Sequence, residues 1–290
     1  MSWRIVEITK RAKLDCKLNY LVIRGEETVK IHLSEIYMLI VENTAVSLTA
    51  ALLCELNKRK IKVIFCDEKR SPDTQLVPYY GSHDTSAKVR SQIGWSEQLR
   101  GAVWTEIVTE KIRQQALLLE ECSHPESAML RGYIEEMEFN DVTNREGHAA
   151  KVYFNSLFGK SFTRSDDCVI NRCLNYGYGL LLSTFNREVA AMGYLTQLGL
   201  FHDNQFNFYN LSSDLMEPFR PLVDRRVVRL HPTEFGHTEK VWLLDLLNCE
   251  ISIQGKMQTT IAAVRIYCKS VFDTLESGDL SLLRFYRNEL

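Results

Sequence analysis

The spacing of apolar residues changes about 85 residues into this chain, and the change limits the folds that the chain can adopt. Before that point the apolar residues form short β-prone runs, such as those at 3–8, 20–23 and 63–66. After it, long stretches without proline carry the spacing of amphipathic helices. The pattern predicts an α+β protein, with a small β-rich N-terminal domain at 1–84 and a larger all-helical domain at 85–290.

Turn-forming residues are concentrated where the two parts meet. Residues 69–86 include Pro72, Pro78 and Gly81, which predicts a linker between the domains. Within the first part, residues 48–56 have the composition of a helix. In the second part, we predict helices at 87–121, 171–200, 237–247 and 259–275, with a turn at Gln254-Gly255-Lys256.

The composition argues against several classes of protein. With 290 residues, 45% of them hydrophobic, and a formal net charge of -2, the chain can bury a core and is not expected to be disordered. Any basic surface for nucleic acid must be local. The eight cysteines form no CxxC pair, which argues against a zinc knuckle, and no apolar run approaches membrane-spanning length. We expect a cytoplasmic protein with reduced thiols and no membrane partner.

Three polar segments stand out in the predicted helical domain. In the first, Asn144 is a plausible helix N-cap and places Glu146 in the first turn. The second is an amide-rich loop that contains His202. The third carries Asp214 and Glu217, which share a face if this stretch is helical. Two carboxylates and one imidazole suit a hard divalent cation such as Mg²⁺ or Mn²⁺, although spacing alone leaves their convergence open.

Each polar segment also has a purely structural explanation. An acid in a first turn complements the helix dipole. A loop histidine can simply be hydrogen-bonded, and Glu217 can form a solvated pair with Arg220. Pro218 and Pro221 do not fit deep inside a helix, so we expect that helix to begin near Asp214.

Taken in order, these segments resemble the CRISPR-associated Cas1 integrase family. The resemblance runs from Trp3 to about Arg229, and is strongest to the version from type II systems, whose interference nuclease is Cas9. It implies an N-terminal β-domain that dimerises and a helical catalytic domain. The segments that carry it are 144–150 (NREGHAA), 200–207 (LFHDNQFN) and 214–221 (DLMEPFRP), supported by 63–67 (VIFCD) and 175–178 (NYGY).

The resemblance also implies roles for particular residues. Glu146, His202 and Glu217 match the catalytic metal ligands, for Mg²⁺ or Mn²⁺, and Glu217 replaces the aspartate that the family often has. Further candidates are an accessory acid, Asp214, and three residues that could line the site, namely Tyr153, Asn175 and Tyr178. Core packing explains both tyrosines equally well. The basic residues expected to contact DNA phosphates are Arg145, Arg220, Arg225 and Arg226, of which the last two could equally form an exposed basic helix face with Arg229.

The activity implied is insertion of new spacer DNA into a CRISPR array, by attack of a 3′-hydroxyl on a repeat phosphodiester. The implied partners are the prespacer fragment, the CRISPR repeat, a second copy of the chain, and a Cas2 dimer bracketed by two such dimers in a heterohexamer. Other type II adaptation proteins are further candidate partners.

Three other functions stay open at this point. A tyrosine recombinase is disfavoured, because the chain has no Arg…His-x-x-Arg…Tyr pattern. A DNA-binding scaffold subunit would use its acids only to cap helices. A plain metal-dependent nuclease would use water in place of the 3′-hydroxyl.

Overall fold

A computed structural model describes residues 4–68, 70, 72–76 and 82–287 of the chain. The chain divides into two compact units, Met1–His83 and Asp84–Leu290. This division lies one residue from the boundary at which the apolar spacing changes. Within the described residues, no helix combines the length and the apolar character needed to cross a bilayer.

The first unit is built from short strands around one helix. One sheet has the order β1-β5-β7-β8 and the other β4-β3-β2-β6. In the first sheet β5 pairs in parallel with both β1 and β7, and in the second β2, β3 and β4 form an antiparallel meander. The elements are β1 (Arg4–Ile8), β2 (Lys13–Lys17), β3 (Tyr20–Arg24), β4 (Thr28–His32), β5 (Ile36–Val41), β6 (Ser47–Leu48), α1 (Ala50–Lys58), β7 (Lys62–Cys66) and β8 (Pro72–Leu76).

Apolar side chains fill the core of this unit. Leu14, Leu21 and Leu39 come from three of its strands, and Leu52 and Leu56 come from one face of α1. All five are fully buried. The helix expected at 48–56 is therefore present, shifted by two residues, because Thr49 accepts a hydrogen bond from the backbone N–H of Leu52 and caps the helix start.

Part of the predicted linker is wrong, because residues 72–76 form a strand. This strand, β8, pairs antiparallel with β7 at the edge of its sheet. Pro72 is its first residue, a position where a missing N–H removes no bond from the interior of the ladder. The remaining linker prediction at 69, 71 and 77–81, and the start of the first run at Trp3, lie outside the described residues.

Helices form most of the second unit. The structure contains α2 (Thr85–Ile93), α3 (Glu97–Glu121), α4 (Ser127–Glu135), α5 (Arg145–Phe158), α6 (Val169–Ala191), α7 (Asn210–Met216), α8 (Arg220–Leu230), α9 (His237–Asp245), β9 (Glu250–Ile253), β10 (Lys256–Thr259), α10 (Thr260–Ser277) and β11 (Tyr286–Arg287). The long helix α3 packs against α4, α5 and α8, while α6 packs against α7, α8, α9 and α10. These two helices therefore contact most of the elements that carry the candidate site.

The prediction of an all-helical second domain is wrong. Strands β9, β10 and β11 form a small antiparallel sheet in the order β10-β9-β11. The predicted turn at 254–256 is present, but it joins two strands. Gln254 and Gly255 both have positive φ angles, of 54° and 69°, as a two-residue hairpin turn requires. Four-residue strands are too short for periodicity to distinguish them from the neighbouring helices.

Three predicted helix limits also differ from the structure. The stretch 87–121 is two helices, because Gly94 ends α2 and the Ser96 side chain caps α3. The helix expected at 171–200 ends at Ala191, before Gly193, whose φ of 89° is left-handed. The helix expected to start near Asp214 begins four residues earlier, at Asn210.

The two prolines lie at the beginnings of later helical segments. Residues 217–219 form a short 3₁₀ turn with Pro218 in its first positions, and α8 then starts with Pro221 in its first turn. Each proline therefore occupies a place where an N–H has no helical partner to lose. The backbone therefore stays helical from α7 through Glu217 into α8.

Candidate active site

Glu146 is held at the N-terminus of α5 by a dense set of caps. The Asn144 side chain accepts a hydrogen bond from the Gly147 N–H at 3.2 Å, which confirms the predicted N-cap. Asp141 accepts hydrogen bonds from the N–H groups of Arg145 at 2.7 Å and Glu146 at 3.1 Å. These bonds satisfy three of the otherwise unpaired donors of the first turn and fix the backbone of Glu146.

Glu217 approaches the same region from the 3₁₀ turn between α7 and α8. The residue is buried, with 4% of its surface exposed. Its Oε1 accepts a hydrogen bond from Nε of Arg220 at 2.8 Å. The predicted pair of these two residues is present, but its carboxylate is buried and only 27% of the Arg220 side chain is exposed.

A lysine that the sequence reasoning did not identify joins the two glutamates. Lys111 lies on α3 and is 7% exposed. Its Nζ lies 2.5 Å from Oε1 of Glu146 and 2.5 Å from Oε2 of Glu217. The first contact is a hydrogen bond, and the second is an ion pair with the buried Glu217. Two carboxylates from distant parts of the chain therefore converge on one positive charge.

The charges around Glu217 and Lys111 shift the pKa values of both residues. Burial by itself would raise the pKa of Glu217, but Arg220 and Lys111 outweigh it and lower the pKa below its ordinary value. Burial would lower the pKa of Lys111, but Glu217 and Glu146 together raise it. The site therefore holds Glu217 as a carboxylate and Lys111 as an ammonium group, at a depth where neither charge would be stable alone.

His202 is oriented by the buried Asp214. The ring Nδ1 forms a short contact with Oδ1 of Asp214, which is completely buried. The same carboxylate accepts backbone N–H bonds from Leu200 at 2.7 Å, Phe201 at 3.0 Å and His202 itself at 3.3 Å. Because Nδ1 faces Asp214, Nε2 is the ring nitrogen that faces away and is available to a ligand, as in carboxylate–histidine–metal arrangements.

The hydrogen bond to Asp214 raises the pKa of His202 more than partial burial lowers it. Glu217 and Glu146 also raise the pKa of His202, so both carboxylates act electrostatically on the imidazole. Burial raises the pKa of Asp214, while His202 and the backbone donors oppose that rise. Three backbone donors directed at one carboxyl group favour its ionised form.

The three predicted ligands are only partly assembled. Glu146 and Glu217 meet at Lys111, but among the described residues no three His, Cys, Asp or Glu side chains are grouped closely enough to hold a metal ion. The donor set nevertheless fits a divalent cation. Two carboxylates already share a positive charge, and the imidazole is turned with one nitrogen free of Asp214.

A second buried hydrogen-bond network lies beside the two glutamates and includes Tyr153 and Tyr178. Asp224 on α8 accepts hydrogen bonds from Tyr153 Oη at 2.8 Å and from Tyr178 Oη at 2.5 Å. Burial raises the pKa of Asp224 to about 6. The Arg220 guanidinium lies 4.7 Å from the centre of the Tyr178 ring, so this network contacts the Glu217 pair directly. The Tyr178 hydroxyl is thus directed to Asp224.

Asn175 is connected to the site through a loop arginine. Its Oδ1 accepts a hydrogen bond from Nη2 of Arg164 at 2.7 Å. The same guanidinium lies 5.3 Å from the centre of the Tyr178 ring. Neither Arg164 nor Lys111 belongs to one of the three polar segments singled out in the sequence, and both have charged residues nearby, so no pattern distinguished either of them.

The four arginines predicted to contact DNA are all paired with acids. Arg145 lies 2.9 Å from Glu136, and Arg220 binds Glu217. The remaining pairs are Arg225 with Glu121 at 2.7 Å and Arg226 with Asp245 at 3.2 Å. Only 7% of the Arg225 side chain and 12% of the Arg226 side chain is exposed, so these two do not belong to an exposed basic face, whereas 54% of the Arg229 side chain is exposed. A phosphate at any of these positions would compete with a carboxylate.

A family model and the sequence of a known protein both match this chain and point to the same family. The family model for the CRISPR associated protein Cas1 matches residues 6–240. The CRISPR-associated endonuclease Cas1 of Neisseria meningitidis is 35% identical over 271 residues, which cover 91% of this chain and 89% of that protein.

Solved structures share the fold at lower sequence identity. A casposase bound to its integration product has a TM-score of 0.77 and 19% identity, and the match covers 97% of this chain and 92% of that one. A Cas6-RT-Cas1--Cas2 complex has a TM-score of 0.76 and 15% identity, covering 97% of this chain and 36% of that one.

Proposed function

Because the chain belongs to the Cas1 family of CRISPR-associated proteins, we propose that it is a metal-dependent DNA integrase and endonuclease that inserts new spacer DNA into a CRISPR array. The observation that carries the proposal is the convergence of Glu146 and Glu217 on a single buried cation position. A scaffold whose acids only capped helices would have no reason to bring two carboxylates from different elements to one charge.

In the proposed reaction the DNA supplies the nucleophile. The oxygen of a 3′-hydroxyl forms a bond to the phosphorus of a repeat phosphodiester, and the bond to the target's own 3′-oxygen breaks. Glu146, Glu217 and His202 would hold Mg²⁺ or Mn²⁺, which when bound stabilises the negative charge that develops on the phosphate. Asp214 keeps the His202 ring in the orientation that presents Nε2.

The tyrosine recombinase alternative is further disfavoured by the chemistry of the tyrosines beside the site. Tyr153 and Tyr178 are buried and donate their hydroxyl protons to Asp224. Burial raises the pKa of both phenols well above the ordinary value. A buried phenol that resists ionisation is a poor nucleophile.

The proposed partners follow from the family. They are prespacer DNA, the CRISPR repeat, a second copy of this chain and a Cas2 dimer, with type II adaptation proteins as further candidates. The similar fold within a complex whose name includes Cas2 supports the Cas2 proposal. Arg145 and Arg220 are the proposed phosphate contacts nearest to the carboxylates, since they lie beside Glu146 and Glu217 in sequence.

The test is Glu146→Ala, assayed for joining of a labelled fragment with a 3′-hydroxyl to repeat DNA in the presence of the Cas2 partner. We expect joining to fall by at least about 100-fold while the fold and DNA binding persist, because one ligand of the ion is removed. Glu135→Ala, at an exposed position on α4, is the matched control. Joining that survives in the Glu146 variant would refute the proposal.

Two further measurements separate the remaining alternatives. Joining that continues in EDTA would favour a covalent tyrosine mechanism. A branched integration product offered to the protein should be resolved by disintegration if a 3′-hydroxyl is the nucleophile. A plain nuclease would only hydrolyse that product.

A further inference from the structure

The ion pair of Lys111 is unusual because one ammonium group serves two acids from different elements. Glu146 comes from the first turn of α5 and Glu217 from the 3₁₀ turn before α8, and Lys111 lies on α3, a 25-residue helix that packs against both α5 and α8. Its Nζ lies 2.5 Å from each carboxylate. The helix backbone thus places a flexible amine between two groups proposed as metal ligands.

We infer that Lys111 is a built-in competitor for the cation site, whose ammonium group holds Glu146 and Glu217 together in the metal-free protein and must leave when a divalent ion binds. This inference rests on the proposed function, because it takes these carboxylates to be ligands. The site would then be assembled before metal arrives. Each time a divalent ion binds, the contacts of Lys111 with Glu146 and Glu217 must break.

Electrostatics explains why such a competitor is useful. Two carboxylates that converge without a cation repel each other, and the repulsion is poorly screened here because Glu217 is buried and only 22% of the Glu146 side chain is exposed. Glu217 is 4% exposed, so water cannot replace the missing charge there. An ammonium group at the shared position removes the repulsion and keeps both side chains directed inward.

Lysine is also the residue type that can be displaced. Its charge sits on a four-carbon stem with several rotatable bonds, whereas an arginine guanidinium is a rigid fork. The Arg220 guanidinium, by contrast, binds the other oxygen of Glu217 and lies over the Tyr178 ring at 4.7 Å, so it has two partners that hold it in place. Of the two cations at Glu217, Lys111 is therefore the one positioned to exchange with a metal ion.

The test is a calorimetric titration of the metal-free protein with Mn²⁺ alone, comparing the wild type with Lys111→Met. We expect the variant to bind Mn²⁺ at least tenfold more tightly and, without metal, to melt at a lower temperature. Added Mn²⁺ should therefore raise the melting temperature of the variant more than that of the wild type. Lys240→Met is the matched control, because Lys240 is also buried but lies on α9 beside the Tyr176 and Phe235 rings, and should leave Mn²⁺ affinity unchanged.

The outcomes distinguish this inference from the proposed function. Equal or weaker Mn²⁺ binding by a folded Lys111→Met, with the wild type still binding, would overturn the competitor role and leave the integrase proposal intact. No Mn²⁺ binding by either protein would count against the ion site itself, and so against both. Binding by the variant alone would support the inference strongly.

A structure of the wild type with Mn²⁺ provides a measurement that needs no variant and is unaffected if Lys111→Met fails to fold. We expect the Lys111 Nζ to lie beyond hydrogen-bonding distance of both carboxylates once the ion is present. An ammonium group still bound to Glu146 and Glu217 beside the ion would overturn the inference.

Discussion

Asp214 shows how one buried carboxylate can fix both a loop and a side chain. It accepts three backbone N–H bonds and the contact with the His202 ring. Gly199 leaves room for this arrangement, because a Cβ there would lie 2.3 Å from the His202 carbonyl oxygen and 2.8 Å from Asp214 Oδ2. Asp214 therefore fixes both the backbone of residues 200–202 and the orientation of the proposed ligand His202.

Asp214→Asn should weaken both functions of this residue. An amide has one acceptor oxygen in place of two, so at least one backbone donor and the imidazole contact lose their partner. We expect a loss of about 2–4 kcal/mol in the free energy of unfolding and a 10–100-fold drop in DNA joining. Urea denaturation and the joining assay measure these. A variant that keeps wild-type stability and activity would show that the carboxylate does not position His202.

The raised pKa of Asp224 predicts that the protein becomes less stable as the pH rises. Burial raises its pKa from an ordinary 3.8 to about 6 in the folded protein. The folded state therefore binds this proton more tightly than the unfolded chain does. The contribution of Asp224 to the free energy of unfolding is complete when the pH is below the pKa of this residue in the unfolded chain. It is lost as the pH rises through about 6, its pKa in the folded protein.

The measurement compares the wild type with Asp224→Asn, which cannot titrate. Between pH 7.5 and pH 4.5 the wild type should gain about 2 kcal/mol of unfolding free energy relative to the variant. Denaturant titrations at the two pH values give the difference. A constant difference between the two proteins would mean that the pKa of Asp224 is not raised.

At the scale of elements, the close crossing of α6 and α8 depends on Gly177, which has no side chain. Gly177 on α6 faces Val223 on α8 so closely that a Cβ at 177 would lie 2.4 Å from Val223 Cγ1. The close contact keeps Tyr178 on α6 within reach of Asp224 on α8. In the sequence Gly177 is only a residue unfavourable to a helix, and its packing role depends on which helix lies opposite.

Gly177→Ala should therefore destabilise the protein by about 1–3 kcal/mol, although alanine favours helices, because the methyl group overpacks the crossing. Gly132→Ala on α4 is the matched control. Nothing lies within 4 Å of its added Cβ, and the change should stabilise the protein by about 0.5–1 kcal/mol. Urea denaturation measures both changes.

Adding Val223→Ala to Gly177→Ala should recover part of the loss, since it removes the atoms that clash. Equal effects of the two glycine substitutions would contradict the close crossing of α6 and α8.

At the scale of the whole molecule, the family implies assembly through the N-terminal unit. Within the described residues, β4 is an edge strand of its sheet, and Val29 on it is 46% exposed. An edge strand with an exposed apolar side chain can pair with another chain. The proposed homodimer would cover such an edge.

Light scattering on the purified chain at micromolar concentration tests this proposal. We expect a mass of about twice 33.5 kDa. Val29→Lys provides a second measurement, because a charge on the edge should weaken the dimer if this strand is in the interface. A monomeric mass for the wild type would contradict the proposed dimer.

Short-range patterns in the sequence determined the features that depend on neighbouring residues. The cap at Asn144, the core strand 63–66 and the pair of Glu217 with Arg220 all depend on residues a few positions apart, and all three are present. The ordered motifs also identified the family, which the comparisons confirm.

Only the tertiary structure decided what lies between distant segments. Strand β11 forms because β9, which lies far from it in the sequence, pairs with it, and its two residues carry no period of their own. Lys111 lies far from both glutamates in sequence, so its place between them depends on how α3 packs. Charges act through space and not along the chain, and for that reason the sequence predicted the candidate ligands but could not predict the cation between them.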